Sequence, residues 1–547
     1  MASGQARALR WARGAWGLAA LGAAAALGAL WLAEQRSVLD VERLGRAPAE
    51  LEERAREVIA VTTGWSAAAH SARGFEYHQD YLAYLDLIPD LEERRRVRAA
   101  GPGPLLFWYR QGVRPLAVSS ALGFDAPPVV EEGEIAVRLD AAGRLVEMRR
   151  WPRAAEPRQT EEAWAPVFAA AELDPAGFRE LYARFVPPVP ADARFTWTGE
   201  SARFPGEEIT VDGGTVEGRP TYFRWDGVWR SRVAPPVHDL STLPRGAFAL
   251  LALVAGGLAF HHRRAGLDDR RANRRLGWTA AAVAALLLVD APLRFVRAAD
   301  PASTIALGGR ALAFGGLVWV GALALVPRLA AWPGMVEAWN RWWRGARGLR
   351  PEDRGPVQAS AVLVGGAAGA LLALISGVAW ALPVWLGRTT IETAPPVAAL
   401  AGGWSSLQAL LWAHARGLMW TGMFAIALVL LRAVLRVRPL AVAGTVAVVA
   451  AFHLPGSRVG WIVVAIYAAL WVAVLVRWGL LSAWVATTVD QLFALPLTTT
   501  LDHWAAATTL TVLAFLLLLL GGSAWQASRA RSVTAPDAQP PDAALAR

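Results

Sequence analysis

The hydrophobic and polar positions divide the chain into two regions of different character. Residues 15–33 form an uninterrupted apolar run, which at about 1.5 Å per residue is long enough to cross ~30 Å of hydrocarbon. Residues 34–243 mix polar and apolar positions, and after them the chain is apolar almost to its end. The pattern predicts about ten transmembrane helices, of which the nine after the first lie near 245–260, 277–295, 304–326, 358–385, 407–431, 439–453, 459–476, 479–496 and 503–524.

The first apolar run has two interpretations. Arg7, Arg10 and Arg13 precede it, as they would in a signal peptide. Its length and the bulky residues 30–32 near a would-be cleavage site favour an uncleaved anchor instead. The predicted organisation is therefore a cytoplasmic N-terminus with the first helix (1–33), an α+β domain (34–243) inserted between helices 1 and 2, a polytopic α-helical bundle (244–525) and a disordered cytoplasmic tail (526–547).

The distribution of arginine predicts the orientation of these spans. With the N-terminus inside, the cytoplasmic segments contain 22 Arg, whereas the short outer loops contain Arg297, Arg388 and Arg458. Cytoplasmic loops of membrane proteins are enriched in basic residues. We therefore expect a multi-pass protein of the bacterial inner membrane with both termini in the cytoplasm and residues 34–243 in the periplasm.

The polar region predicts two similar α+β units. Helical apolar spacing over 48–61 and a buried strand at 105–109 belong to the first unit, together with a hairpin whose turn is 140–143. Residues 74–87 are predicted to form a turn that leads into a short helix. The second unit begins with a helix near 161–171 and continues with strands near 193–198, 208–211 and 220–225.

Composition removes many functional classes. Hydrophobic residues make up 55% of the chain and its mean hydropathy is +0.32, which is typical of a membrane protein. The chain has no Cys, and all 55 basic residues are Arg, so thiolate metal sites, Cys nucleophiles, a kinase ATP lysine and Schiff-base lysines are excluded. The net charge of +10 arises on the predicted cytoplasmic segments, while residues 34–243 are net negative, so we expect no nucleic-acid partner.

Charged and histidine side chains within the predicted spans are the candidates for ligand binding or for coupling to the outer domain, because such residues are costly in hydrocarbon. On the predicted topology they fall in the outer half of the bundle. Two interpretations stay open, namely ion pairs that fix the bundle (Asp290 and Asp490 with Arg310 and Arg416) and a polar cavity. The candidates are Asp290, Arg310, His414, Arg416 and Asp490.

A second candidate lies in the outer domain, where Tyr77, His78, Asp80 and Tyr81 form a polar and aromatic cluster. It is interpreted either as the lining of a ligand cleft or as packing and capping at a helix start. The histidines lack the close spacing of a metal site, and hydrolase and metalloprotease motifs are missing from the sequence. We therefore expect no catalytic residues, no metal and no cofactor.

Five segments resemble a known family. The run Gly74–Tyr84, with Leu106–Gln111 and Arg114–Leu116, resembles the extracytoplasmic region of membrane-bound serine/threonine protein kinases of the kind found in Acidobacteria. The segments Trp164–Ala176 and Leu495–Thr499, the latter followed by Asp502 and Trp504, are similar to that family too. In those proteins a cytoplasmic kinase domain precedes a span, an external domain and a polytopic bundle.

The resemblance implies a signalling protein, but this sequence departs from the family. Fourteen residues precede the first span, and the glycine loop, the catalytic-loop His-Arg-Asp and lysine are all missing. We therefore expect a kinase-less relative of sensory or interaction type, with the lipid bilayer and a membrane protein or separate kinase as partners. The alternative is a transporter or membrane-embedded enzyme that uses the polar cluster in the outer half of the bundle.

Overall fold

The computed structural model describes most of the chain except a long stretch after the α+β domain, which we call the outer domain (residues 34–243) after its predicted position. The described residues are 2–39, 44–66, 68–116, 123–154, 164–200, 208–232, 256–257, 260–261, 264–265, 351–387, 392–393, 395–401, 405–453 and 460–528. The predicted spans at 277–295 and 304–326, and nearly all of 245–260, lie outside them. The same is true of Asp290 and Arg310.

Seven long or medium helices make up the described part of the bundle. Helix α1 covers Ala2–Gln35, before the outer domain. After the domain come α7 (Pro351–Trp385), α8 (Ser405–Leu435), α9 (Arg438–Ala451), α10 (Gly460–Trp478), α11 (Leu480–Leu492) and α12 (Ala506–Ser528). A short 3₁₀ turn, Val397–Ala401, lies between α7 and α8.

Five of these helices are long and apolar enough to cross a membrane, namely α1, α7, α8, α10 and α12. The chain is therefore a membrane protein with several candidate spans. Helix α9 has 14 residues and α11 has 13, so at ~1.5 Å per residue each is about 20 Å long, short of a ~30 Å hydrocarbon core. The prediction of ten spans stays a prediction.

Helix α7 is central to the described bundle, since it packs against α1, α10, α11 and α12. Close approach to α11 depends on two glycines spaced one turn apart. A Cβ on Gly365 would lie 2.6 Å from the carbonyl oxygen of Ser482, and a Cβ on Gly369 would lie 2.5 Å from that of Ala486. Small residues at this spacing let helix backbones meet inside a membrane, where packing replaces the hydrophobic driving force.

The outer domain is built on one antiparallel sheet of eight strands in the order β1-β2-β3-β4-β8-β7-β6-β5. Its elements in chain order are α2 (Pro48–Thr63), β1 (His70–Tyr77), α3 (Gln79–Asp86), α4 (Leu91–Ala100), β2 (Leu105–Gly112), β3 (Ile135–Asp140), β4 (Leu145–Arg150), α5 (Trp164–Ala170), β5 (Phe178–Leu181), β6 (Ala193–Glu200), β7 (Glu208–Val216), β8 (Arg219–Asp226) and α6 (Trp229–Arg232). The α+β class predicted for this region is confirmed.

The sheet consists of two four-stranded halves joined through the β4–β8 pair. Each half is preceded by one helix, α2 or α5, and these two helices contact each other. Alternate residues of the strands pack beneath the helices, so Phe107, Val137 and Phe223 are almost completely buried in one core. The opposite face has a smaller apolar cluster around Trp108 and Tyr222, beside a set of charged residues.

The predicted hairpin at 140–143 is confirmed, whereas the predicted turn at Gly74 is wrong. Gly143 has a φ of 88°, which favours glycine, and Asp140 accepts hydrogen bonds from the amides of the turn. Gly74 instead lies inside β1, paired with Trp108 of β2. A Cβ there would be 2.8 Å from the indole of Trp108, so this glycine makes room for a side chain and does not mark a turn.

Candidate functional site at the junction of domain and bundle

The outer domain and the bundle meet first through backbone hydrogen bonds. The chain that leaves α1 runs beside the segment between α7 and α8, and Ser37 forms a parallel bridge with Thr393. The amide of Val38 donates to the Thr393 carbonyl (2.9 Å), and the Thr393 amide donates to the carbonyl of Arg36 (2.7 Å). This pairing fixes residues 36–38 to the α7–α8 connection.

A buried ion pair reinforces the same contact. Arg98 of α4 donates through Nη1 to the Glu392 carboxylate at 2.9 Å, and the two side chains are 9% and 3% exposed. Nearby on α4, Arg95 donates to the carbonyl of Gln35 (3.3 Å) at the end of α1. Removing one partner of a buried pair leaves an uncompensated charge, which costs about 3–5 kcal/mol. The buried charge of Arg98 on α4 is therefore neutralised by Glu392 of the α7–α8 connection.

The α7–α8 connection also covers the edge of the sheet. The Tyr77 hydroxyl donates to the carbonyl of Pro395 (2.6 Å), and the 3₁₀ turn packs on β1, with Val397 and Leu400 inside the domain's core. Burial raises the pKa of the Tyr77 phenol well above its usual value, so it stays a donor at neutral pH. A covered edge strand cannot pair with a strand of another chain, so β1 packs against the bundle instead.

The segment between α11 and α12 provides a second attachment. The carboxylate of Glu34, at the end of α1, accepts from the Thr498 hydroxyl (2.9 Å) and from the Thr499 amide (3.0 Å) and hydroxyl (2.6 Å). Hydrogen bonds to an ionised carboxylate are roughly twice as strong as neutral ones. Glu34 therefore clamps this segment to the end of α1.

A few residues further on, the same segment reaches the sheet. Trp504 donates from its indole to the carbonyl of Leu44 (2.9 Å), and its ring stacks on Phe75 of β1 with centroids 6.1 Å apart. His503 contacts the Leu44 carbonyl as well (3.1 Å). Phe75 and Trp504 belong to two of the segments that resemble the kinase family, so those segments meet at this junction.

Arg36 connects the junction to the polar interior of the bundle. Its guanidinium donates to the carbonyl of Phe493 (2.8 Å) and to the Ser376 hydroxyl (3.2 Å). It also acts electrostatically on Asp490, two residues before the end of α11. Since the carbonyl of Arg36 accepts from Thr393, a single residue bonds both the α7–α8 connection and the end of α11.

Among the predicted bundle residues that the structure describes, Asp490 has a hydrogen bond to a side chain of a neighbouring helix. Its carboxylate accepts from the Tyr467 hydroxyl of α10 at 2.9 Å, and the ring of His453 lies 4.7 Å from the Tyr467 ring. Among the described basic groups, His453 and Arg36 act on its charge. The predicted ion pair between Asp490 and Arg416 is not observed. The predicted pairing with Arg310 lies outside the described residues.

The other predicted bundle residues that are described lie on α8. His414 contacts the carbonyl of Leu410 through Nδ1 (2.9 Å), and its ring packs edge-on against Phe515. Arg416 is partly buried two residues further along the same helix. Asp490 is therefore linked to the junction by the charge of Arg36, whereas the contacts of His414 lie within the bundle. The ligand or coupling role of these residues stays a prediction.

The four predicted cleft residues of the outer domain point to different surroundings. Tyr77 contacts the bundle, as described above, and Asp80 pairs with Arg224 on the sheet (3.2 Å). His78 and Tyr81 turn inward, where the two rings pack together against Trp229. Desolvation, assisted by the charges of nearby arginines, lowers the pKa of His78 to about 3, so this imidazole is neutral at physiological pH.

The charged face of the sheet is a network of ion pairs. Arg138 lies at its centre and bonds Glu76, Glu147 and Asp125, with its guanidinium over the ring of Phe124. Burial raises the pKa of the Glu76 carboxyl even though Arg138 opposes the shift. Such mutually satisfied charges hold neighbouring strands in register. Groups of three or more metal-binding side chains do not occur among the described residues.

Apart from Tyr77, the junction residues described above were not predicted from the sequence, because each looks ordinary in its local segment. Arg98 and Glu392 are 294 positions apart, and both occur in polar stretches where charges are normally solvated. Glu34 is the first polar residue after the apolar run, a position that usually marks the interface. The one available signal was the presence of Gly74–Tyr84 and Leu495–Thr499 among the segments that resemble the kinase family.

Comparison of the chain with protein-family models, with curated proteins and with solved structures gave no match. Inference about function therefore starts from the contacts of the junction and from the sequence.

Proposed function

We propose that this chain is a membrane protein of sensory or interaction type, in which the outer α+β domain is coupled to the helix bundle through the junction. The observation on which the proposal depends is the buried Arg98–Glu392 pair between α4 of the domain and the α7–α8 connection. A domain that was merely tethered would need no desolvated charge pair at its base. A rigid contact of this kind supports a mechanical link between the two parts.

Coupling through this junction has a defined route. The sheet edge β1 and helix α4 both contact the α7–α8 connection, and Glu34 fixes α1 to the α11–α12 segment. A ligand or partner that displaces β1 or α4 must therefore either move the connection between α7 and α8 or break a buried contact. Arg36 extends the same route to Asp490. If the junction has two arrangements, one with these contacts and one without them, a ligand that binds one arrangement more tightly shifts their populations.

The arginine distribution supports the proposed orientation. We place the sheet domain on the periplasmic side of a bacterial inner membrane, with both ends of the given sequence in the cytoplasm. In this arrangement the junction lies at the outer surface of the bundle, where signals from the periplasm would arrive. The polytopic organisation with about ten spans belongs to the same proposal.

The resemblance to membrane-bound serine/threonine kinases supports a signalling role. We do not propose phosphoryl transfer for this chain, because the sequence has no lysine to hold the phosphates of ATP. A separate kinase or another membrane protein is accordingly the proposed partner. In that case the bundle would transmit the state of the outer domain to a protein that contacts it.

Copurification from native membranes tests the proposal. The full chain is isolated beside two variants, Glu392→Gln, which breaks the buried pair, and Glu93→Gln, which breaks an exposed pair on the same helix, and bound proteins are quantified by mass spectrometry. We expect one protein to be enriched with the wild type and with Glu93→Gln, and its recovery to fall at least ~fivefold with Glu392→Gln. Recovery of lipid alone from all three, or equal recovery of the protein from all three, would contradict the proposal.

The alternative is a transporter or membrane-embedded enzyme, and the Asp490–Tyr467 contact favours it. A carboxylate inside a bundle is costly and often marks an ion or substrate pathway. Substitution of Asp490 by Asn separates the two functions. Loss of substrate uptake or turnover in vesicles, with the junction intact, would support the alternative over the sensor.

A further inference from the structure

A cavity of about 480 Å³ lies where the outer domain rests on the end of the bundle. Its walls come from three elements that are far apart in sequence, namely the end of α1, the end of α7 and the start of α4. The volume falls within the ~300–1,000 Å³ range of small-molecule sites. The cavity is distinct from the buried junction contacts, because it opens to the surroundings of the protein.

The depth of the cavity follows from the helices that form it. The candidate spans of α1 and α7 end at Gln35 and Trp385, and both residues line the cavity. Three tryptophans, Trp31, Trp380 and Trp385, line the cavity. Trp31 is 51% exposed and Trp385 is 60% exposed, as expected for rings that contact lipid at the headgroup level. The candidate spans therefore place the cavity at the level expected for phospholipid headgroups.

The charges of the cavity come from the first turns of α4. The lining residues include two acidic residues, Asp90 and Glu92, and one basic residue, Arg95. One carboxylate oxygen of Asp90 accepts a hydrogen bond from the Glu93 amide (2.7 Å) and caps the helix. The second oxygen takes no part in this hydrogen bond. A guanidinium has five N–H donors, and one of those of Arg95 contacts the carbonyl of Gln35. The lining therefore offers acceptors to a cation and donors to an adjacent anion.

This combination of groups matches one class of ligand. An ammonium group is stabilised by indole faces and by carboxylates, and a phosphate is bound by arginine. An anionic headgroup without an amine would place its phosphate beside two carboxylates and gain nothing from the indoles. A zwitterion with an amine and a phosphate satisfies both sets of groups at the depth at which the cavity opens.

We propose that this cavity binds the headgroup of an ethanolamine-type phospholipid from the leaflet that faces the α+β domain. The amine lies among the indoles and the carboxylates of Asp90 and Glu92, and the phosphate contacts Arg95. The lipid then bridges α1, α7 and α4. The proposal goes beyond the sensory function and does not depend on it, since a lipid can occupy this position whether or not the junction transmits a signal.

Native mass spectrometry of the purified full chain tests the proposal, with phosphatidylethanolamine and phosphatidylglycerol supplied in equal amounts. We expect the wild type to retain the ethanolamine lipid in at least ~fivefold excess. The double variant Asp90→Asn/Glu92→Gln should lose this preference, while asparagine preserves the cap of α4 and hence the fold. Trp385→Ala should weaken retention roughly fivefold, as expected for the loss of one cation–π contact.

The matched control is Trp461→Ala. Trp461 is an indole at the start of α10 that is 55% exposed, and it is not part of the cavity. It should leave retention unchanged. The proposal is overturned if the wild type retains both lipids equally, or if Trp461→Ala weakens retention as much as Trp385→Ala. It is also overturned if soluble phosphoethanolamine displaces the lipid at equal concentration, because the source would then not be the membrane.

Discussion

Breaking the buried pair between Arg98 and Glu392 should open the junction without unfolding either part. The two side chains are 9% and 3% exposed and 2.9 Å apart. Glu392→Gln keeps the shape of the side chain but leaves the guanidinium desolvated without a countercharge. Because such a loss costs about 3–5 kcal/mol, the lower figure corresponds to a roughly 100-fold larger equilibrium constant for opening.

Hydrogen exchange measures this opening directly. The amides of Val38 and Thr393 are bonded across the junction at 2.9 and 2.7 Å, so each becomes free to exchange when the junction opens. Where closing is faster than exchange, the exchange rate scales with the opening equilibrium constant. We therefore expect peptides that contain these amides to exchange about 100-fold faster in Glu392→Gln, while peptides from the centre of the sheet keep their protection.

Glu93→Gln is the matched control for this measurement. Glu93 pairs with Arg96 on the same helix at the same distance of 2.9 Å, but the two side chains are 48% and 78% exposed. An exposed pair contributes ~0–1 kcal/mol, so exchange at the junction should change by less than about fivefold. If both variants change exchange equally, the reasoning about burial is refuted.

Three further predictions address the domain and its contacts. Tyr77→Phe removes the hydrogen bond to Pro395 and should accelerate exchange of residues 395–401 roughly fivefold, for a loss of about 1 kcal/mol. Gly74→Ala places a Cβ 2.8 Å from an indole of β2 and should lower the midpoint of thermal unfolding. The same change at the exposed Gly45, where a Cβ would meet nothing within 4 Å, should not. Burial lowers the pKa of His78 to about 3 in the native state, whereas the imidazole of the unfolded chain has its usual pKa near 6.5. Below pH 6.5 the unfolded chain therefore takes up a proton that the native state does not. The free energy of unfolding should fall by about 2 kcal/mol between pH 6.5 and 5 and stay level above that range. Burial raises the pKa of Asp226 to about 6, so this carboxyl group makes the native state more stable as the pH falls, opposite to His78. The contribution of His78 is therefore measured as the difference in unfolding free energy between the wild type and His78→Gln.

Local signals predicted the elements of the outer domain well. The helix expected at 48–61 is observed as Pro48–Thr63, because its apolar spacing, its acidic first turn and a proline at its start all agree. The hairpin at 140–143 is equally local. The turn at Gly74 was wrong because a glycine in a strand and a glycine in a turn look alike until the residue across the sheet is known.

The junction could not be predicted in this way. Its contacts join α1, the α7–α8 connection and the α11–α12 segment, whose residues are more than 300 positions apart in several cases. A sequence pattern shows that Glu392 and Arg98 are charged, but burial is a property of what packs around them. The cavity shows the same limit, since its lining comes from α1, α4 and α7, which are far apart in sequence.

The short helix α11 explains why polar groups gather at this end of the bundle. It begins at Leu480, one residue after α10 ends, and stops at Leu492 after about 20 Å, before it has crossed ~30 Å of hydrocarbon. The following residues are not helical, and irregular backbone near a membrane is tolerated only where protein satisfies its polar groups. Glu34 and Arg36 provide that satisfaction, by accepting from the amide of Thr499 and donating to the carbonyl of Phe493. An unbroken α11 would need neither residue, so the interruption itself ties the bundle to the chain that enters the outer domain.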